Sequence, residues 1–170
     1  MASSKELSRR GAIREEEYKE ASGFMERVGV GHEMLEAEYN VKDSFSKHVG
    51  GVVKVVSMER GKISCILTVK PSILNGHGIL FGGVVAAVAE RVAIGCGRTI
   101  HGEDGDLCLG EISISYLSSA PPNAEVVVDA SVVRSGKTLT VVAVNFRLKE
   151  SGRLAYVSRA TLHRMPLSNL

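Results

Sequence analysis

Apolar residues recur along this chain with two different periods, and the change between them divides it. Ala21, Phe24, Met25 and Val28 fall at i, i+3, i+4 and i+7, with Glu17, Lys19 and Glu26 around them. That spacing predicts one apolar helix face that packs on another surface. Residues 1–12 are polar, and residues 29–44 are too mixed to assign. From Gly51 the texture becomes β-branched. GVVKVVSM and KISCILTV, separated by Glu59-Arg60-Gly61, read as a hairpin. Pro71 and the Asn75-Gly76 pair end the second strand. A helix follows from about Phe81 to Arg98. Beyond the loop HGEDGD, the segments LCLGEISISYLS, EVVVDASVVR, TLTVVAVNFRL and RLAYVSRATLH are each of strand length. Turn residues separate them: Ala120-Pro121-Pro122-Asn123, Ser135-Gly136-Lys137 and Lys149-Glu150-Ser151-Gly152. Short connections predict antiparallel neighbours.

The central helix is apolar on nearly every side (Val84, Val85, Ala86, Ala87, Val88, Ala89, Val92, Ala93, Ile94). A helix of that kind is buried. The fold class expected is α+β, with a curved antiparallel sheet of about six strands wrapped round one long helix. Residues 1–45 would form an N-terminal helical extension and residues 46–170 the main domain.

Composition narrows the function. The 170 residues suit one domain with a core, and 44% hydrophobic with 24% charged residues is ordinary for a soluble protein. A formal net charge of +2 and the lack of a basic stripe with interleaved aromatics give no reason to expect nucleic acid as partner. No uncharged apolar run approaches the ~18 residues of a transmembrane helix, so no membrane partner is expected. The N-terminus lacks the basic-then-apolar layout of a secretory signal, and Glu15, Glu16 and Glu17 argue against a transit peptide. Cys65, Cys96 and Cys108 sit in apolar surroundings without metal-ligand spacing, as small buried hydrophobes of a reducing compartment would.

Chemistry concentrates in NGHGILFGGVVAAVAERV, residues 75–92. Gly82 and Gly83 open the helix, where the first N–H groups lack intrahelical partners and the macrodipole is positive. Such a place suits a developing oxyanion, and equally a plain tight turn. Glu90 is the one acid in the helix. A carboxylate there is paired, solvated at a cleft or protonated. The adjacent Arg91 points to a different face and is not its partner. Glu90 lies eight residues past Gly82, about 12 Å along a helix. One carbonyl needs its base and its oxyanion donor each within about 3 Å. A single helix cannot supply both; two antiparallel copies could.

At these residues the chain resembles the hotdog-fold acyl-CoA thioesterases, in the PaaI-like and acyl-coenzyme A thioesterase 13-like branch. The likeness rests on Asn75-x-x-Gly78-x-Leu80-x-Gly82-Gly83 and Glu90. It continues through Ile114-Ser115-Tyr116-Leu117, Arg134-Ser135-Gly136-Lys137-Thr138-Leu139 and His163, over roughly residues 47–165. The resemblance implies a homodimer, assembling to a homotetramer, with sites at the dimer interface. It implies that the Gly82 N–H binds the thioester oxygen and that Glu90 is general base or nucleophile. Asn75 would orient the water or the thioester. Tyr116, Arg134, Ser135, Gly136, Lys137, Thr138, Leu139 and His163 would contact the coenzyme A part, where basic side chains and turn N–H groups suit phosphates. No metal or redox cofactor is implied.

Two positions depart from the family. Phe81 stands where a His often precedes the glycine pair, and Leu109 where a Ser or Thr holds water. Glu111 would be a substitute for that hydroxyl or a solvated surface acid, and His77 a supporting residue of the loop or a plain surface histidine. There is no nucleophile elbow, P-loop or zinc-binding HExxH. The expected function is hydrolysis of an acyl-CoA to free acid and CoA. The alternative is a hotdog protein that binds acyl-CoA without hydrolysing it. The terminal Ser168-Asn169-Leu170 resembles a peroxisomal Ser-Lys-Leu address with its charge removed, so a cytoplasmic or peroxisomal location is expected.

Overall fold

The β-branched runs and the small-residue helix form the elements their periods predict, but the sheet they build has another shape. The computed structural model describes residues 42–101 and 106–165. Helix α1 (Ser44–Gly50) leads into β1 (Val53–Glu59) and β2 (Lys62–Thr68), joined at Gly61, whose φ of +76° favours glycine. A 3-10 turn, Pro71–Ile73, precedes α2 (Gly82–His101). The remaining strands are β3 (Asp106–Tyr116), β4 (Glu125–Ser135), β5 (Leu139–Leu148) and β6 (Leu154–Met165). The helix expected around Ala21–Val28 and the tripeptide Ser168–Leu170 lie outside the described residues, as does nearly all of the extension expected over residues 1–45. No helix among the described residues is long and apolar enough to cross a membrane.

All six strands form one antiparallel sheet in the order β1-β2-β4-β5-β6-β3. Two expectations are corrected here. First, β3 does not neighbour β4. The segment between them crosses the end of the sheet: Leu117 and Ser118 donate to the Ala155 carbonyl of β6, whereas Asn123 and Ala124 bond to Val69 just beyond β2. Pro121 and Pro122 have no N–H to give to a ladder, so this stretch connects rather than hairpins. Second, the sheet is not a curved wrap round the helix. It is open, with β1 and β3 as free edges.

The reason lies in α2. Its buried residues, Val84, Val85, Val88, Ala89, Val92, Ala93, Cys96 and Gly97, form one stripe facing the sheet. Ala86, Ala87, Glu90, Arg91, Ile94 and Gly95 on the other side are only half-buried. The helix therefore lies across one face, and its outer apolar residues are not covered by strands among the described residues. Beneath it pack Leu67, Val128, Val142, Val144, Phe146, Ala160 and Leu162, all inaccessible. Burial of a side chain the size of Phe146 or Leu162 contributes roughly 1.5–3 kcal/mol.

Candidate active site

The loop before α2 is held by its own side chain. The Asn75 carboxamide oxygen accepts from the His77 N–H at 2.9 Å and from the Ile79 N–H at 3.3 Å. The backbone closes the same loop, Asn75 N–H to Ile79 carbonyl and Gly78 N–H to Asn75 carbonyl. This is the local chemistry that makes Asn a turn residue. It also orients the group, since Oδ1 faces the loop and Nδ2 is left to donate elsewhere. No histidine is needed for that orientation. His77 is exposed, and its backbone, rather than its ring, supports Asn75.

Leu80 and Phe81 then tie the loop to the body of the fold, donating to the Ala120 and Ile73 carbonyls. Ala120 is buried and donates its own N–H to the Tyr156 hydroxyl at 3.0 Å. Burial pushes the Tyr156 phenol above its ordinary pKa, so it stays neutral and serves as a fixed acceptor. In the first turn of α2, Val84 and Val85 donate to the Phe81 carbonyl. The Gly82 and Gly83 N–H groups before them have no partner among the described residues, as expected at a helix start.

Two aromatic rings bracket those amides. The Tyr116 hydroxyl donates to the Gly82 carbonyl at 3.0 Å. A Cβ placed on Gly82 would meet the Tyr116 ring at 3.2 Å, and one on Gly83 would meet the Phe81 ring at 2.7 Å. Both rings are about half exposed, Phe81 at 51% and Tyr116 at 54%. The rings pack directly over the glycine pair, where a larger residue would have to displace them. Tyr116, expected among the coenzyme A contacts, stands at the opening of α2.

Glu90 sits seven residues after Gly83 and seven before Gly97, so the three form one line along α2 within about 20° per step. Gly97 faces Leu107 of β3 and Leu162 of β6, which places the Glu90 line on the flank turned toward the β3 edge. The carboxylate is half-buried and has neither a hydrogen bond nor an ion pair among the described residues. Arg91 points away, donating to the Ser46 carbonyl of α1 at 2.7 Å. An apolar cavity of about 270 Å³ is lined by Val49, Val88, Val92 and Arg91 among others. Val88 and Val92 are each two residues from Glu90, about 200° round the helix, so this cavity opens on the other flank.

The residues expected to hold coenzyme A gather elsewhere. A bulge at Val133 shifts the register of β4 between Val132 and Arg134. Arg134 consequently pairs with Val141 on the face away from α2, and Ser135 pairs with buried Thr140 on the face toward it. Gly136, Lys137 and Thr138 make the turn, closed by the Gly136 N–H on the Leu139 carbonyl and braced by the Arg164 N–H on the Thr138 carbonyl. His163 pairs with Leu139 and with Cys108 on the outer face. Arg134 and Lys137 are exposed and have no ion pair among the described residues.

One chain therefore keeps the expected residues in separate places. Asn75, Gly82 and Tyr116 are at the start of α2, and Glu90 is about 12 Å along it. The 134–139 turn lies beyond its far end, with Arg134, Leu139 and His163 on the opposite sheet face. Glu111 also faces away from α2, opposite Thr161, as a solvated acid. Leu109 faces the helix opposite Leu162 and belongs to the fringe of the core. Sequence reading missed a further cluster. His101, the last residue of α2, has Nε2 2.9 Å from Ser135 Oγ and 2.8 Å from Thr140 Oγ1. Its members are 34 and 39 residues apart, so no local pattern could reveal it.

Comparison with known proteins bears on this geometry. The family model of the thioesterase superfamily matches residues 77–155. Acyl-coenzyme A thioesterase 13 of Homo sapiens is 31% identical over 120 residues, 69% of this chain and 83% of that protein. The crystal structure of thioesterase superfamily member 2 from Mus musculus superposes with a TM-score of 0.66 at 25% identity, covering 76% of this chain and 98% of that one. The PaaI protein of the E. coli phenylacetic acid degradation operon has a TM-score of 0.64 at 18% identity, over 87% of this chain and 92% of that one, a likeness of fold alone.

Proposed function

We infer the reaction from one premise: this chain belongs to the hotdog-fold thioesterase superfamily, in its PaaI-like and acyl-coenzyme A thioesterase 13-like branch. Membership makes it a hydrolase of thioesters in the general sense. The finer proposal is that it hydrolyses an acyl-CoA to the free acid and CoA. The observation that carries it is Glu90, a half-buried carboxylate without a partner among the described residues, on the flank of α2 that continues from the unpartnered Gly82 and Gly83 amides.

In this mechanism the thioester oxygen accepts from the Gly82 N–H, which polarises the carbonyl and holds the charge that develops on it. Glu90 takes a proton from water as that water attacks the carbonyl carbon, or attacks the carbon itself to give an acyl anhydride that water then hydrolyses to the free acid. The tetrahedral intermediate collapses, the C–S bond breaks, and CoA leaves as thiolate and takes up a proton. Asn75 Nδ2, the half of its carboxamide not engaged by the loop, donates to the water or the thioester. Tyr116 fixes the Gly82 peptide through its carbonyl.

The donor and the base come from different subunits in this proposal. Two copies of α2 antiparallel across a two-fold would set Gly82 of one against Glu90 of the other. The half-buried Ala86 then meets its own copy at the axis with Ala87 beside it, which accounts for the outer apolar residues of α2 that the open sheet leaves half-buried. Arg134, Ser135, Gly136, Lys137, Thr138, Leu139 and His163 bind the phosphates and nucleotide of CoA. Arg134, Leu139 and His163 lie on the far side of their own sheet from their own Glu90, so a CoA that uses both runs between subunits.

The test is CoA release from a panel of short, medium, long and aromatic acyl-CoAs by wild type, Glu90→Ala and Glu90→Gln. Exposed Cys108 supplies the protein's own thiol background for a thiol-reactive dye and is titrated first. Loss of about 10²–10⁴ in kcat with CoA affinity retained supports the mechanism. Acyl-CoA binding without turnover in the wild type supports the binding protein instead and directs attention to Phe81.

A further inference from the structure

We propose that His101 is a positioning residue for the phosphate-binding turn: it locks residues 134–139 to the C-terminal end of α2 and so sets affinity for the nucleotide half of the substrate. The inference rests on the reading of that turn as the coenzyme A contact.

Three polar groups close a triangle. His101 Nε2 is 2.9 Å from Ser135 Oγ and 2.8 Å from Thr140 Oγ1, and the two hydroxyls are 3.2 Å apart. Thr140 is 1% exposed and held in the centre of the sheet between β4 and β6, so it is the fixed corner. His101 ends a helix of 20 residues whose last turns are packed on Leu107 and Leu162 through Gly97. Ser135 is the exposed corner, at the start of the turn.

The bulge at Val133 is what makes the triangle possible. Side chains alternate faces along a strand. With one extra residue in β4, Ser135 turns toward α2 and Arg134 turns outward. The one bulge therefore sends the hydroxyl to the helix and the guanidinium to solvent. On its other side the turn is braced by the Arg164 N–H on the Thr138 carbonyl. His101 is the tether that joins this turn to the element carrying Gly82 and Glu90. Without it the Ser135 hydroxyl keeps only the longer contact to Thr140, and the turn keeps its backbone bonds to β5 and β6 but loses its tie to α2. The N–H groups and basic side chains of residues 134–138 then spend less time in the phosphate-binding arrangement, which weakens ground-state binding and leaves the chemical step alone.

The experiment compares two substrates that share a thioester and differ in phosphate: an acyl-CoA and the same acyl group on N-acetylcysteamine, which lacks the nucleotide and every phosphate. His101→Ala is expected to raise KM for the acyl-CoA, and Kd for CoA by calorimetry, about 3- to 10-fold, the effect of losing one or two hydrogen bonds. Its kcat stays within about twofold, and kcat/KM for the truncated thioester is unchanged. His101→Gln, whose amide reaches the position of Nε2, is expected to restore the acyl-CoA KM. Equal losses on both substrates, or a loss that Gln does not rescue, overturn the positioning role while leaving the thioesterase reading intact. A wild type that neither hydrolyses acyl-CoA nor binds CoA overturns both.

Discussion

Two glycines of α2 invite the same substitution and should answer it differently. A Cβ on Gly83 would come within 2.7 Å of the Phe81 ring, and a Cβ on Gly97 within 2.8 Å of Leu107 Cδ1 and 3.1 Å of Leu162 Cδ1. By overlap alone the two are equal. Burial separates them. Phe81 is 51% exposed and can swing into solvent, whereas Leu107 and Leu162 are 5% and 0% exposed, in a core with nowhere to send a displaced methyl. Alanine gains roughly 0.5–1 kcal/mol over glycine in a helix interior. Overpacking of a dense core costs about 1–3 kcal/mol. Gly97→Ala should therefore lose about 1–2 kcal/mol net, or about 2–8 °C in Tm for a chain of this length. Gly83→Ala, at the helix start, should stay within about 0.5 kcal/mol. Urea unfolding at one fixed protein concentration, followed by circular dichroism, measures both. Equal destabilisation by the two variants would refute the argument that the mobility of the neighbour decides. The same pair also separates stability from function: Gly83→Ala moves the Phe81 ring at the proposed oxyanion site, so it should lower kcat while leaving the midpoint where it was.

Other consequences follow from single observations. Ser158 is 1% exposed and its hydroxyl has no partner among the described residues, so Ser158→Ala should leave urea stability unchanged or raise it by up to about 1 kcal/mol, against the destabilisation usual for a core change. Tyr116→Phe removes the hydrogen bond to the Gly82 carbonyl while leaving a ring that is half exposed. The expected result is a several-fold fall in kcat for acyl-CoA hydrolysis, with thermal stability within the scatter of surface variants. Burial pushes the Cys65 and Cys96 thiols above their ordinary pKa, with the Asp129 carboxylate adding to the shift at Cys65. Their contribution to stability is fully present below the unfolded thiol pKa of about 8.5 and is lost as pH rises through the folded values, so the urea midpoint should hold up to about pH 8.5 and fall above it. In the same native protein Cys108 should react with a disulfide reagent fast, and Cys65 and Cys96 only on unfolding.

The elements were legible because each carries its own period. β2 alternates as KISCILT does, Ile63, Cys65 and Leu67 inward, and α2 buries the stripe that Val84, Val88 and Val92 mark. Glu90 was legible as an oddity, an acid among small apolar residues. Asn75 and Gly82 were legible from the turn and the helix start beside them. Other features have no local signature. That β3 takes the far edge beside β6 depends on a connection that crosses the sheet, and turn residues between two strands look alike whether the chain reverses or crosses. The Val133 bulge, which decides the direction of Arg134 and Ser135, reads in sequence as one more β-branched residue. Phe81 and Tyr116 bracket the glycine pair from opposite ends of a separation of 35 residues.

The sequence by itself determined where strands and helix form, which residues face the core, and which acid is out of place, because those follow from periods of 2 and 3.6 residues over short stretches. Only the tertiary structure decided that the sheet stays open beneath α2, that Tyr116 stands at Gly82, and that His101 reaches Ser135 and Thr140. Those depend on which surfaces meet, and periodicity specifies the surface that an element offers without specifying the one that it finds.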